Sequence, residues 1–233
     1  MSVQRLSLPV PDGPVAAVTA ALHQPVRATR PKGRTVLLAP GAGGDLDGDG
    51  IVALAELLAD LGCTVVRANL PYREAGRRAP RADRSVPGYL AVLAAARDVI
   101  RDRRPWVLGG KSYGGRVASM LVAQGEEAAG LLFYGYPLHP PGKPEQLRVE
   151  HWPDVYVPTL FLQGARDPFS DLALLRTHVR KLPRRATVRA VEGGDHSLRV
   201  TRAASPTGQA ASEAVTIAGL REDVRAWLRT LER

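Results

Sequence analysis

The sequence predicts an α/β sandwich: a mostly parallel central sheet, helices on both of its faces, and an antiparallel hairpin at its start. Three observations carry this expectation. Short apolar runs alternate with stretches of helical period along the whole chain. The runs at 35–39, 130–136 and 157–163 are apolar on both faces, as in strands buried between two layers. Near the start, runs at 3–9 and 15–23 flank Pro11-Asp12-Gly13, which reads as strand, turn and strand.

The elements follow in order. After strand 35–39, the loop Pro40-Gly41-Ala42-Gly43-Gly44 leads into a helix over 51–61 whose apolar residues recur at a spacing near 3.6. Strand 64–69 precedes an arginine-rich loop and a helix over 86–101. Strand 106–108 runs into Gly109-Gly110-Lys111-Ser112-Tyr113-Gly114-Gly115 and a helix over 115–124. Strands 130–136 and 157–163 are followed by a helix over 171–181, a strand over 186–191 and a closing helix over 214–232. Only 201–212 is loosely specified, and no internal repeat interrupts the pattern. The 233 residues suffice for one sizeable core, so a single domain over 1–233 is expected.

Composition narrows the function classes. Lysine occurs only at 32, 111, 143 and 181, so the formal charge of +9 comes almost wholly from arginine. The densest cluster, Arg73, Arg77, Arg78, Arg81 and Arg84, is broken by Pro80, Glu74 and Asp83 and lacks interleaved aromatics or a recognised binding motif. It reads as a solvated loop, with an anionic-partner site as the alternative, and nucleic acid is not the expected partner. No apolar stretch approaches the roughly 20 residues that span a bilayer, so no membrane association is expected. Cys63 is the only cysteine, and the start of the chain has no basic region followed by an apolar run. A reducing, cytoplasmic setting is the expectation.

The chemistry centres on Gly110-Lys111-Ser112-Tyr113-Gly114, a G-x-S-x-G pattern between a strand and a helix. A strand that turns sharply into a helix crowds the serine backbone, and glycines on either side remove the side chains that would collide there. Such a turn lifts the Ser112 hydroxyl above the sheet, beside a helix N-terminus that favours developing negative charge. A serine hydroxyl attacks well only when a base takes its proton and a carboxylate orients that base. Of the five histidines, His23 ends an early strand and His178 sits mid-helix, both read as structural or surface positions, while His151 is open to either reading. His196, in Glu192-Gly193-Gly194-Asp195-His196-Ser197 just past a strand end, is the expected base. Asp167, beyond Leu160-Phe161-Leu162-Gln163-Gly164, is the expected acid. Asp171 reads instead as a helix cap, and Asp195 is too close in the chain to grip the ring of His196. The order Ser112, Asp167, His196 is the α/β-hydrolase order. This chemistry calls for no metal and no cofactor.

The chain resembles the α/β-hydrolase superfamily over nearly its whole length, through its hairpin start, "GGKSYGG", "LQGARDPF" and "EGGDHSL". More narrowly, "LLAPGAGGD", "YPLHPPGKPEQLRVEH" and "LQGARDPF" resemble the dienelactone-hydrolase-related branch that includes the testis-expressed hydrolase-like proteins and the hydrolase-like domain of a chromatin-complex subunit. The resemblance implies the α/β-hydrolase fold and a hydrolase, and its eukaryotic members imply that the scaffold also serves as a partner-binding domain. It implies an oxyanion hole made by the backbone N–H groups of Ala42 and Tyr113. Where dienelactone hydrolases carry cysteine this chain has Ser112, and where many relatives carry histidine it has Pro40.

About 20 residues separate strands 130–136 and 157–163, too few for a cap domain, so the cleft is expected to be open. Tyr136, Leu138, His139 and Trp152 are candidates for its rim and for substrate binding, unless Pro137, Pro140 and Pro141 make a rigid structural turn there. Lys111, beside the elbow, must reach solvent or pair with a carboxylate. Two readings of function follow. One is a serine hydrolase acting on a small-molecule ester or related acyl substrate, and the other is a non-catalytic interaction module on the same fold.

Overall fold

The computed structural model describes residues 3–11, 13–25 and 33–231; Asp12 of the expected turn and Glu232 of the expected last helix lie outside them. The strands are β1 (Val3–Pro9), β2 (Ala17–His23), β3 (Thr35–Ala39), β4 (Thr64–Ala68), β5 (Trp106–Lys111), β6 (Ala128–Tyr134), β7 (Thr159–Gly164) and β8 (Ala186–Val191). They form one sheet in the order β1-β2-β4-β3-β5-β6-β7-β8. β1 pairs antiparallel with β2 and β2 antiparallel with β4, while every pairing from β4 to β8 is parallel. The expected sheet, including its antiparallel opening, is the observed one.

Side-chain alternation in the central strands explains the two layers. Val36, Leu38, Val107, Leu132, Leu160 and Leu162 face one core, and Leu37, Leu108, Leu131, Phe133 and Phe161 face the other. The first core is closed by α1 (Asp49–Asp60), through Ile51, Leu54 and Leu58. The short α2 (Pro71–Glu74) follows β4 in the arginine-rich segment. The second core is closed by α3 (Val86–Ile100) and α4 (Tyr113–Ala123), through Tyr89, Val92, Leu93, Val117 and Leu121. The buried Tyr89 hydroxyl bridges the Leu37 and Gly109 carbonyls at 3.1 Å each, tying α3 to the sheet beneath the elbow.

Several boundaries differ from those expected. β5 runs on to Lys111, because Gly109 and Gly110 stay in register with Leu132 and Phe133 of β6. β6 stops at Tyr134, where Gly135 turns left-handed at φ 63°. The helix expected over 171–181 is α5 (Leu172–His178) followed by a 3-10 turn. The single closing helix is two, α6 (Glu213–Gly219) and α7 (Arg221–Thr230), broken at Leu220 so that Ile217 and Trp227 both reach the first core. Residues 201–212 are tied down by a bridge between Val200 and Ala211. Among the described residues no helix is long and apolar enough to cross a membrane.

Candidate active site

All the parallel strands end on one edge of the sheet, and the loops leaving them build a cleft of about 810 Å³. β5 ends at Lys111, and Ser112 occupies φ 49°, ψ −110° before α4 begins at Tyr113. A non-glycine residue holds that conformation only when its surroundings enforce it. Here the Ser112 N–H donates to the Tyr134 carbonyl of β6 at 2.9 Å, and α4 starts at once against β3. A Cβ at Gly110 would overlap the Ala39 carbonyl oxygen, and one at Gly114 would overlap that same oxygen and crowd the Pro40 carbonyl at 2.6 Å. The two glycines of the motif are therefore what lets the elbow touch β3.

The chain then closes a hydrogen-bonded line of three side chains. Ser112 Oγ lies 2.9 Å from His196 Nε2, and His196 Nδ1 lies 2.7 Å from Asp167 Oδ2. With Nδ1–H donating to the carboxylate, Nε2 is left as the acceptor for the serine hydroxyl. The Asp167 side chain is fully buried and also accepts from Gln163 Nε2 (2.6 Å) and the Phe169 N–H (2.8 Å). Phe169 packs on the imidazole, ring centroids 4.5 Å apart. The competing carboxylates are used locally. Asp171 caps α5 by accepting from the Leu174 N–H at 2.8 Å, and Asp195 accepts from the Ser197 and Arg199 N–H groups at 2.8 and 2.9 Å.

The glycine-rich loop lies across the serine. Gly44 N–H donates to the Gly41 carbonyl (3.1 Å), which leaves the Ala42 N–H outside that turn's hydrogen bond. Tyr113 is the first residue of α4, where a backbone N–H has no partner within the helix. Both residues line the cleft with Ser112. The Tyr113 side chain points away, its hydroxyl 2.8 Å from Ser85 Oγ and 3.0 Å from the Pro80 carbonyl.

The structure corrects the expected rim. Tyr136, Leu138 and Trp152 are wholly buried and His139 nearly so, and none of them lines the cleft. Tyr136 and Trp152 pack with Phe133 and Phe161 in one aromatic cluster. His139 fastens two loops, its Nε2 accepting from the Asp171 N–H at 3.0 Å and its Nδ1 lying 2.8 Å from the Pro140 carbonyl. Of the prolines there, Pro140 and Pro141 belong to a turn closed by the Lys143 N–H on the Pro140 carbonyl at 3.1 Å. Pro137, Arg148 and Phe169 line the cleft instead, as do residues 79–83 of the arginine-rich segment. Arg77, Arg78, Arg81 and Arg84 of that segment are exposed, as in a solvated loop, while Arg73 lies 3.6 Å from Asp45 and Arg81 3.3 Å from Asp83.

Sequence reasoning missed a polar network behind the histidine. Lys111 Nζ donates to Ser197 Oγ (2.8 Å) and to Glu213 Oε1 (3.2 Å), and sits 4.9 Å from the centre of the Tyr134 ring. Glu213 is buried and also lies 3.4 Å from Arg199. The Tyr134 hydroxyl donates to the Ser197 carbonyl at 2.7 Å, and burial together with Glu213 holds that phenol above its usual pKa. The turn is pinned from the core side by Leu198, fully buried at φ 57°. No local pattern joins Lys111 to Glu213, 102 residues apart.

A family model for the alpha/beta hydrolase domain matches residues 32–220. The chain belongs to that family. No curated protein matches it. Among solved structures, this alpha/beta hydrolase is similar to an alpha-beta serine hydrolase homologue from Coxiella burnetii, with TM-score 0.69, 18% identity, and 99% of this chain and 98% of the other covered. The esterase domain of a Rhodothermus marinus protein gives TM-score 0.66 and 14% identity, with 99% of each chain covered. Dienelactone hydrolase from Anabaena variabilis gives TM-score 0.67 and 16% identity, again over 99% of each. At these identities the likeness is one of fold.

Proposed function

We propose that this single-domain protein is a serine hydrolase that cleaves a small ester or related acyl bond in a reducing, cytoplasmic setting. The observation that carries the reading is the unbroken line Ser112 Oγ, His196 Nε2, His196 Nδ1 and Asp167 Oδ2, with contacts of 2.9 and 2.7 Å, opening on the cleft. In this reading Ser112 Oγ bonds to the acyl carbon as its proton passes to Nε2. The carbonyl oxygen becomes an oxyanion held by the Ala42 and Tyr113 N–H groups, each such donor being worth about 3 kcal/mol in the transition state. Collapse breaks the ester bond, and the leaving alcohol takes the proton from Nε2. Water then attacks the acyl-serine by the same proton path and releases the acid. Asp167 keeps the imidazole in one tautomer and balances its positive charge. Among the described residues no group of three or more His, Cys, Asp or Glu could hold a metal ion, and none of these steps needs one.

The finer resemblance to hydrolase-like interaction domains gives the rival reading, but no arrangement in the cleft favours it. A panel of aryl esters of increasing acyl length tests the proposal, with Ser112→Ala as the control. The connection from 135 to 158 carries only the 3-10 turn Trp152–Asp154 and no cap. An uncapped cleft encloses little apolar surface, so acetyl to butyryl esters should turn over fastest and Ser112→Ala should abolish turnover. Activity unaffected by Ser112→Ala contradicts the mechanism. Preference for long acyl chains contradicts the open cleft.

A further inference from the structure

Charge in the cleft is unevenly matched. Its carboxylates Asp45, Asp83 and Glu213 each lie within 3.6 Å of an arginine or lysine, and Asp49 opens α1, where the helix dipole favours it. Two of its arginines have no such counterpart. Among the described residues, Arg116 and Arg148 form no ion pair. Arg116 Nε is buried without a hydrogen-bond partner, and the Arg148 guanidinium has only the Pro137 carbonyl, at 3.4 Å. Both line the cleft with Ser112.

Their placement sets where an anion would sit. Arg116 follows Ser112 by one turn of α4, its N–H donating to the Ser112 carbonyl at 3.1 Å, which is about 6 Å of helix rise. Arg148 is brought in on the loop after β6, its N–H donating to the Leu138 carbonyl at 2.8 Å. The two guanidinium groups repel each other: burial and then the charge of Arg116 lower the pKa of Arg148, against a smaller opposing pull from Tyr136 and Glu150, and Arg116 adds to the burial that lowers His151 to about 4. Two like charges in a partly dry wall are unfavourable to the fold, and an anion between them offsets that repulsion.

We propose that Arg116 and Arg148 form an anion subsite beside Ser112, and that the preferred substrates are esters bearing a carboxylate a few bonds from the scissile carbonyl. This rests on the serine-hydrolase reading and names its substrate class. A guanidinium fork matches the two oxygens of a carboxylate, and its charge does not titrate in the working range of such an enzyme. Lys111 and Arg199 are left out of the subsite because each already has a carboxylate partner, the Glu213 that they share.

The test uses the full chain and matched pairs of esters. 4-Nitrophenyl hemiglutarate against 4-nitrophenyl valerate puts the charge on the acyl side, and 4-acetoxybenzoate against 4-acetoxybenzamide puts it on the alcohol side. 4-Acetoxyphenyl phosphate replaces the carboxylate by phosphate. One carboxylate ester should exceed its neutral partner in kcat/KM by about tenfold or more, mainly through KM, and free glutarate should compete with the neutral ester. Arg116→Gln and Arg148→Gln should each bring that ratio close to one, and Arg116→Lys should keep part of it. If either glutamine variant fails to fold, the wild-type ratios and glutarate competition still decide. No carboxylate preference, a preference for phosphate alone, or a preference that survives both glutamine variants but falls with Arg199→Gln overturns the subsite. Fluorophosphonate labelling of Ser112 is measured alongside. Labelling without carboxylate preference sinks the subsite alone, whereas absence of both labelling and hydrolysis sinks it together with the hydrolase reading.

Discussion

Asp167 and Asp195 show how position decides the role of two identical side chains. Asp167 leaves a neighbouring strand end, is fully buried, and spends Oδ2 on His196 and Gln163 and Oδ1 on the Phe169 N–H. Asp195 stands next to His196 in the chain and spends its carboxylate on the backbone of its own turn. Asp167→Asn therefore presents an amide to Nδ1 and selects the wrong tautomer, and kcat for a good ester should fall by about 10⁴. Asp195→Asn keeps an oxygen acceptor for the turn and should cost no more than about tenfold. Kinetics of the two variants on one ester separate the assignments; a larger loss from Asp195→Asn would exchange them. The triad candidates were legible because each sits on a short motif just past an apolar run. The rim was not legible, since an aromatic beside a proline-rich loop has the same local pattern whether it faces a cleft or, as Tyr136 and Trp152 do, an aromatic core.

At the scale of elements, the sheet was readable from its strands because burial on both faces leaves a continuous apolar run, and the alternation of strand and helix leaves few topologies. Helix ends were less so. Nothing in the apolar spacing of 214–232 announces the break at Leu220, on either side of which α6 and α7 both reach the same core. Nor does local pattern reveal that the end of β5, the histidine turn and the start of α6 share the network of Lys111, Ser197 and Glu213. That network has a consequence for catalysis. Lys111 precedes Ser112 and holds the residue after His196, so in the proposed hydrolase it fixes the spacing of the two reacting groups. Lys111→Met should lower kcat by about tenfold with little change in KM, the pattern of a group that positions others, and Lys111→Arg should restore part of it. Equal losses in kcat from both variants would assign Lys111 no more than general stability.

The molecule as a whole keeps two histidines neutral, His23 fully buried and His151 half-buried, and this ties its stability to pH. His23 is fully buried in β2 and accepts from Arg67 Nε at 2.9 Å; burial first, then the arginine charge, lowers its pKa to about 4. His151, 2.7 Å from Ser119 Oγ, is lowered to about 4 by burial and by Arg116. In the unfolded chain both titrate near 6.5. Between those values the unfolded state binds more protons, so stability is complete above about 6.5 and is lost as pH falls toward 4. A depression of this size corresponds to on the order of 3 kcal/mol per histidine. Thermal melts from pH 7 to pH 4 should show the loss, and His23→Gln, whose amide oxygen accepts the same hydrogen bond, should flatten the slope. An unchanged slope in that variant would place the acid sensitivity elsewhere.

The central claim is that Ser112 is a nucleophile activated by His196, and covalent labelling tests it most directly. A fluorophosphonate reacts with a serine whose proton is removed as it attacks, and its phosphoryl oxygen occupies the position of the oxyanion beside Ala42 and Tyr113. Mass spectrometry of the digested wild-type protein should place one adduct on Ser112, with labelling absent from His196→Ala within the assay time and strongly slowed in Asp167→Asn. A folded wild-type protein that stays unlabelled at Ser112, or a His196→Ala variant that labels as fast as wild type, would contradict the account.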